Sequence, residues 1–229
     1  MWLKDGRQLH GAATPGFPFV LTGRTKDITW GFTASRVDTA DLWEETLNED
    51  GTEYLVDGEW RKLEISETTF KVAFGSDRVL QIRKTHRGTL VPFELLKSNC
   101  ALLFGGKTPA VDDNGKFYSI AWQGQFVGED SWKMLKIIGE SKDLVQLFDA
   151  FDNSPMGESY KGVGQNTLFA DTSGNIGYRL IQTMPERKNK TPFLGSRILD
   201  GSTSKWDWTG EIVHQRDLPK SLNPKQGFI

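Results

Sequence analysis

The stretch that decides the fold is Gly162-Val-Gly-Gln-Asn-Thr-Leu-Phe-Ala-Asp-Thr-Ser-Gly-Asn-Ile-Gly-Tyr178. Two runs rich in apolar and β-branched residues, 167–170 and 176–181, flank a short sequence of turn-forming residues. This pattern predicts a β-hairpin. Gly174 and Asn175 suit the backbone positions with positive φ that such a turn uses.

Asn166 lies where the first strand of this hairpin begins, just after two glycines. A short amide side chain at such a place is a good hydrogen-bond donor to a ligand. It can equally satisfy a carbonyl of the neighbouring loop. The hairpin taken alone favours the loop carbonyl.

The composition excludes several classes of protein. The 229 residues carry 28 basic and 30 acidic side chains, a formal net charge of −2, which gives no reason to expect a nucleic acid or an anionic membrane as partner. No run approaches the roughly 18–20 apolar residues of a membrane span. The single cysteine, Cys100, excludes an intrachain disulfide and a cysteine-based zinc cluster. The cellular compartment stays open.

Alternation of apolar and polar residues from Leu42 to Val91 predicts a series of antiparallel strands, with a hairpin turn at Asp57-Gly58. Another strand is expected at 117–122. We find no linker, internal repeat or low-complexity tract, so we expect residues 1–229 to form one folding unit.

Two helices are predicted between residues 129 and 153, where apolar residues recur at helical spacing. Ser131 is expected to cap the first helix and Ser141 the second. The residues expected to face a core are Trp132, Leu135 and Ile138 in the first helix, and Leu144, Leu147, Phe148 and Phe151 in the second.

Residues 165–178 resemble the Q-N-x-x-x-A-D-x-x-G-N-I-G-Y segment of the penicillin amidase (penicillin acylase) family. Residues 15–33 resemble the family motif P-G-x-P-x-V-x-x-G-x-N-x-x-I-x-W-G-x-T, with Arg24-Thr25 where His-Asn or Arg-Asn is usual. Residues 206–229 resemble its W-x-G-x-x-P-x-x-x-L-P-x-x-x-N-P-x-x-G-x-I segment. Members are N-terminal-nucleophile amidohydrolases. The resemblance implies an α+β, β-dominated fold that is part of their four-layer αββα sandwich.

The resemblance also implies site residues. The family stabilises the oxyanion of amide hydrolysis with an Asn side chain and a backbone N–H, which fall on Asn166 and Ala34 here. Arg187 lies where the family has an arginine near the active site. Its alternative is a surface base in the basic run 187–190.

Acyl-group binding is implied for Phe32 and Arg36. A cation at Arg36 favours an acidic or polar acyl group, or else the side chain points outwards. Family members hold a calcium ion with ligands that match the carboxylates of Asp38 and Asp41 and the carbonyl of Ala40. The bare spacing of these acids is also typical of a solvated turn.

The family nucleophile is a serine at a processed chain start, and no residue near Met1 has its sequence context. We therefore expect this chain to be an internal segment of a β subunit, without the serine nucleophile or the α subunit, and inactive alone.

Its expected partners are a small amide substrate, the α subunit and the remaining β-subunit segments in a complete enzyme. Calcium is expected to bind well only there. Unpaired sheet edges in such a segment predict self-association. The alternatives are a non-catalytic ligand-binding or scaffold module that kept the fold, and an unrelated β-rich binding protein, against which the ordered motifs argue.

Overall fold

The computed structural model describes residues 6–16, 19–91, 116–126, 128–190 and 197–229, so Cys100 lies outside the described residues. The strands are β1 (His10–Ala12), β2 (Thr22–Arg24), β3 (Ile28–Ala34), β4 (Ala40–Glu45), β5 (Glu53–Val56), β6 (Glu59–Lys62), β7 (Glu64–Phe70), β8 (Arg78–Lys84), β9 (Thr89–Val91), β10 (Phe117–Trp122), β11 (Gln165–Asp171), β12 (Ile176–Ile181), β13 (Pro185–Arg187), β14 (Ile198–Asp200), β15 (Trp208–Ile212) and β16 (Lys220–Leu222). The α-helices are α1 (Asp130–Glu140), α2 (Leu144–Asn153) and α3 (Pro155–Glu158). Short 3₁₀ turns occur at Gln123–Phe126, Ser204–Trp206 and Gln215–Asp217. None of the helices in these ranges has the length and apolar character that crossing a membrane requires.

The chain divides into two units, each built from several segments. The first unit contains residues 1–37, 126–184 and 212–229, and the second contains residues 38–125 and 185–211. The expectation of a single folding unit over residues 1–229 stays a prediction.

The first unit is built on a six-stranded antiparallel sheet in the order β1-β2-β3-β11-β12-β16. The predicted hairpin is confirmed as β11 and β12. Asp171 organises its turn, because Oδ1 accepts from the backbone N–H groups of Ser173 and Asn175. Gly174 has the expected positive φ of 85°, but Asn175 does not, and its side chain instead donates to Asp171 Oδ2 at 2.7 Å.

One face of this sheet packs against α1 and α2. Phe169 on β11 meets Phe148 on α2 edge-to-face, with ring centroids 6.3 Å apart. Gly177 on β12 permits this approach, since a Cβ there would lie 2.9 Å from the Phe148 ring. The alternating residues, among them Asn166, therefore project from the opposite face of the sheet.

The structure confirms the two helices and corrects their caps. Glu129 precedes α1, and Ser131 lies inside the helix, where its hydroxyl accepts from the N–H of Val163. Ser141 closes the end of α1 by donating to the Ile137 carbonyl at 2.8 Å. Asp143 caps α2 instead, accepting from the N–H of Gln146, because its carboxylate directly precedes the first helical turn.

The residues predicted to face the core from the two helices are buried, with one exception. Trp132 is 46% exposed, so its assignment to the core is wrong. It lies one residue after Ser131, on the outward side of α1. The remaining predicted core residues of the two helices are buried: Leu135, Ile138, Leu144, Leu147, Phe148 and Phe151.

The second unit contains a six-stranded sheet in the order β14-β4-β10-β9-β8-β7. Only the β14–β4 pair is parallel, and the other neighbours are antiparallel. The hairpin predicted at Asp57-Gly58 joins β5 to β6, and both turn residues have positive φ, as a type I′ turn requires. Strands β13 and β15 form a further two-stranded sheet.

Candidate functional site

The residues predicted to form the site fall in both units. The first unit contains Phe32, Ala34, Arg36 and Asn166, and the second contains Asp38, Ala40, Asp41 and Arg187.

Ala34 and Asn166 meet at one end of the β3–β11 pair. The antiparallel register places Gln165 opposite Ala34 and Asn166 opposite Thr33. The Nδ2 group of Asn166 donates to the carbonyl of Ala34 at 3.1 Å, although the two residues are 132 positions apart. The two residues predicted to share one oxyanion are thus neighbours.

The hydrogen bonds of Asn166 fix the orientation of its carboxamide. A backbone carbonyl only accepts, so the atom facing Ala34 is the nitrogen. The hydroxyl of Tyr178 lies 2.8 Å from Oδ1 and donates to it. The nitrogen carries two N–H groups, and the second has no partner among the residues that the structure describes. This half-buried side chain therefore satisfies a carbonyl and still presents one donor.

A buried amide network, which sequence reasoning missed, holds the chain just after Ala34. The Ser35 hydroxyl donates to Gln182 Oε1 at 2.7 Å, and Gln215 Nε2 donates to the Gln182 carbonyl at 2.7 Å. Gly164 makes room for it, because a Cβ there would lie 1.5 Å from Gln182 Oε1. In the sequence, the signal for this close approach was Gly164 itself, which lies two residues before Asn166.

Phe32 and Arg36, the predicted acyl-binding residues, have different environments. Phe32 is partly buried and packs against the core beneath α1 and α2. Arg36 is exposed and has a φ of 50°, in the left-handed region that non-glycine residues rarely adopt. Their contact with an acyl group stays a prediction.

In the second unit, Arg187 joins the two carboxylates predicted to bind calcium. Its Nε donates to Asp41 Oδ2 at 2.6 Å. Its Nη2 donates to Asp38 Oδ1 at 2.9 Å and to the Asp38 carbonyl at 3.3 Å. Trp208 Nε1 also donates to Asp41 Oδ2, at 2.5 Å. Arg187 is thus part of an ion-pair cluster rather than a solvated surface base.

Asp41 is fully buried, and its two oxygens differ. Oδ2 receives both hydrogen bonds, whereas Oδ1 is buried and has no hydrogen-bond partner among the described residues. Burial raises the pKa of Asp41 above its usual value, although the hydrogen bond and charge of Arg187 and the hydrogen bond of Trp208 act against that shift. The charge of this carboxylate is therefore incompletely compensated.

Calcium requires six to eight oxygen ligands. Within the described ranges, no three His, Cys, Asp or Glu side chains converge on a point that a metal ion could occupy. A guanidinium already bridges Asp38 and Asp41. These residues by themselves do not fit calcium, and the feature among them that would favour a cation is the unpartnered Oδ1 of Asp41.

A second ion-pair cluster in this unit centres on Arg87, whose side chain is 1% exposed. Arg87 donates to both oxygens of Glu45, to Asp207 Oδ1, and to backbone carbonyls at 201 and 203. His86 lies 3.0 Å from Asp207 Oδ2 and 3.0 Å from the Tyr54 hydroxyl. Because Arg87 is buried, pairs with two carboxylates and lies over the Trp43 ring at 5.8 Å, we interpret this cluster as structural.

The chain resembles curated acylases along nearly all of its length. It is 28% identical over 227 residues to the acyl-homoserine lactone acylase QuiP of Pseudomonas syringae pv. syringae, covering 97% of this chain and 24% of that protein. It is 26% identical over 234 residues to penicillin G acylase of Escherichia coli, covering 98% of this chain and 24% of that protein. The chain thus spans about a quarter of the length of these relatives.

A solved structure shares the fold. The thermostable penicillin G acylase from Alcaligenes faecalis matches with a TM-score of 0.74 at 23% identity, covering 97% of this chain and 36% of that chain. This likeness confirms the predicted α+β, β-dominated fold of N-terminal-nucleophile hydrolases. The model of the family described as penicillin amidase matches residues 4–229. The chain therefore belongs to the penicillin amidase family.

Proposed function

We propose that this chain supplies the oxyanion hole of an amidohydrolase that cleaves non-peptide C–N bonds of acylated substrates, such as β-lactams or other N-acyl compounds. Membership of the penicillin amidase family supports amide hydrolysis as the reaction class. Relatives named as penicillin G acylase and acyl-homoserine lactone acylase both support an N-acyl amide as the substrate class.

The observation that carries the proposal is the meeting of Ala34 and Asn166. Attack on an amide carbonyl places negative charge on its oxygen, and a donor aimed at that oxygen contributes about 3–4 kcal/mol to catalysis. Asn166 presents an N–H without a partner in the described part of the chain, beside the exposed residue Ala34. Both groups lie on sheet strands, so little reorganisation is needed when the charge develops.

The nucleophile is proposed to come from outside this sequence. An N-terminal-nucleophile hydrolase uses a side-chain hydroxyl or thiol at a processed chain start, with the free α-amino group as base. We propose that the α subunit and further β-subunit segments complete the enzyme, and that these 229 residues alone hydrolyse nothing. Arg187 is proposed to act in the complete site through its hold on Asp38 and Asp41.

Calcium is proposed to bind only in the complete enzyme. The buried, unpartnered Oδ1 of Asp41 supports a cation at this place. The carbonyl of Ala40 and the carboxylates of Asp38 and Asp41 give too few oxygens for a full shell. Further ligands would come from the segments that complete the protein.

The experiment titrates the ¹⁵N-labelled chain with two ligands, an N-acyl amide and the phosphonate analogue of its tetrahedral intermediate. An oxyanion hole binds the tetrahedral anion more tightly than the ground-state amide. We expect the phosphonate to shift the Ala34 backbone N–H and the Asn166 side-chain resonances, and to bind at least tenfold more tightly than the amide.

Asn166→Ala should abolish that preference. The control Asn153→Ala should keep it, because the exposed Asn153 side chain donates to Asp149 on α2 rather than to a residue of the site. In the complete enzyme, Asn166→Ala should lower kcat by ~10²–10³ with folding intact. Equal affinity for both ligands would instead favour a non-catalytic binding module, and a burst of acylation by the 229-residue chain would contradict its inactivity.

A further inference from the structure

Tyr178 is a neighbour of Asn166 that the proposed reaction does not yet use. In the β11–β12 register, Leu168 lies opposite Tyr178 and Asn166 lies opposite Leu180. Residues two apart on a strand share a face, so Tyr178 and Asn166 are diagonal neighbours on the face away from the helices. The phenol hydroxyl reaches Asn166 Oδ1 at 2.8 Å.

Two groups of opposite hydrogen-bonding character hold the carboxamide. The Ala34 carbonyl accepts from Nδ2, which leaves Oδ1 to face the Tyr178 hydroxyl as an acceptor. One of these hydrogen bonds alone would leave the plane of the carboxamide free to rotate about that contact. The two together fix the plane, and with it the direction of the second N–H of Nδ2.

We propose that Tyr178 is a positioning residue, whose hydroxyl holds the Asn166 carboxamide with its unpartnered N–H aimed at the oxyanion. This inference rests on the proposed role of Asn166 as an oxyanion donor. A half-exposed Asn side chain turns readily in water, and a donor contributes to catalysis only when it is aimed before the charge develops. The Tyr178 hydroxyl, which lies on the neighbouring strand β12, fixes this orientation of the Asn166 carboxamide.

Tyr178→Phe isolates the hydroxyl, because the ring and its packing remain. Without the donor, Oδ1 of Asn166 turns to solvent and the carboxamide samples other orientations. We expect the ¹⁵N order parameter of the Asn166 side-chain amide to fall from about 0.8, typical of a rigid group, to below about 0.6. Its backbone order parameter should not change.

Side-chain ¹⁵N relaxation of the 229-residue chain measures this, with Asn166→Ala identifying the resonance pair. The matched control is Tyr54→Phe, which removes a phenol hydroxyl bonded to His86 in the other unit. We expect no change at Asn166 in that variant. A purely structural role for Tyr178 would lower the thermal midpoint and leave the Asn166 order parameter unchanged.

An unchanged order parameter in folded Tyr178→Phe would overturn the proposal. If that variant does not fold, the wild-type chain decides: an order parameter below about 0.6 for the Asn166 amide overturns the proposal, and one near 0.8 supports it. In the complete enzyme, Tyr178→Phe should lower kcat by about 10- to 100-fold with KM unchanged. The relaxation result stands even if Asn166 proves dispensable for turnover, so failure of the proposed function and failure of this inference are distinguishable.

Discussion

The Nε group of Arg187 lies 2.6 Å from Oδ2 of Asp41, a carboxylate 146 positions earlier in the chain that is fully buried. The same guanidinium reaches Asp38. A buried carboxylate without a cation is strongly unfavourable. Arg187 therefore supplies a counter-charge that opposes the rise in the pKa of Asp41 caused by burial.

Replacing Arg187 should destabilise the second unit. Arg187→Gln leaves Asp41 buried without its counter-charge, and we expect a loss of ~3–5 kcal/mol in the free energy of unfolding. Arg187→Lys should lose less stability, because it keeps the charge but cannot donate to both carboxylates in the fork geometry of a guanidinium.

Urea unfolding followed by tryptophan fluorescence measures the stability of both variants. Arg216→Gln, at an exposed position, is the control and should change stability by less than ~0.5 kcal/mol. A loss that small for Arg187→Gln would show that the ion pair is not formed in solution.

Calcium should not bind this chain with high affinity. Arg187 already pairs with Asp38 Oδ1 and Asp41 Oδ2, so a metal would have to share these oxygens with the guanidinium or displace it. We expect isothermal titration with calcium chloride to give no saturable heat below about 1 mM, the range of weak calcium modules. Micromolar binding that Asp38→Ala abolishes would show that the metal displaces the guanidinium.

The Asp207 carboxylate should contribute to acid sensitivity. Burial alone would raise its pKa, but hydrogen bonds from His86 and Arg87 and the charge of Arg87 lower it below the usual value of 3.8. With the folded-state pKa below the unfolded-state pKa, the unfolded chain binds more protons as pH falls through 3.8. The stability due to Asp207 is therefore present above that pH and lost below it.

Asp207→Asn should remove this contribution and cost ~1.5–3 kcal/mol at neutral pH, since charge-assisted hydrogen bonds to Arg87 are lost. Stability measured by urea unfolding from pH 6 to pH 3 should fall less steeply in the variant than in the wild type. Asp217→Asn, at an exposed position, should reproduce the wild-type slope. Identical slopes for wild type and Asp207→Asn would rule out the assigned role.

Gly164 should not tolerate a side chain. A Cβ at Gly164 would lie 1.5 Å from Gln182 Oε1, an atom held by the Ser35 hydroxyl. We expect Gly164→Ala to cost about 1–3 kcal/mol, the usual cost of overpacking. Gly31→Ala is the control, because within the described ranges no atom beyond its chain neighbours lies within 4 Å of the added Cβ on strand β3. The unfolding midpoint of Gly31→Ala should stay within the error of the wild-type value. An unchanged midpoint for Gly164→Ala would contradict the prediction and would mean that the amide network re-forms elsewhere.

The β7–β8 hairpin should promote the predicted self-association. Strand β7 is at the end of its sheet within the described residues, and every residue of β7 is exposed. On β8, Val79 and Leu80 are 62% and 51% exposed. Unprotected edges with apolar side chains pair with other chains, and a lysine there opposes pairing. We expect Val79→Lys to lower the fraction of oligomer in sedimentation velocity at about 100 μM, whereas Glu67→Lys, also on the hairpin, should lower it less. A monomeric wild-type chain at that concentration would contradict the prediction.

Local sequence patterns predicted the secondary structure well. They failed where a side chain bonds a residue distant in sequence instead of the local backbone. The β11–β12 hairpin and the Asp57-Gly58 turn depend on residues next to one another, so the sequence contains the whole cause. Ser131 looks like a cap by the same local rules. In the structure its hydroxyl accepts from Val163, 32 positions away, a contact that no local pattern encodes.

The sequence by itself determined the family and the β-dominated fold, because these follow from ordered motifs and from alternation along each strand. The role of Asn166 as an oxyanion donor stays a prediction. Only the tertiary structure decided which groups meet. The register of β3 on β11 brings Ala34 to Asn166, the diagonal across β12 brings Tyr178 to the same amide, and Arg187 closes on Asp41 across 146 positions. The physical reason is that strand pairing and the burial of charge are satisfied between distant segments, and their partners are chosen by the free energy of the whole fold rather than by neighbours in sequence.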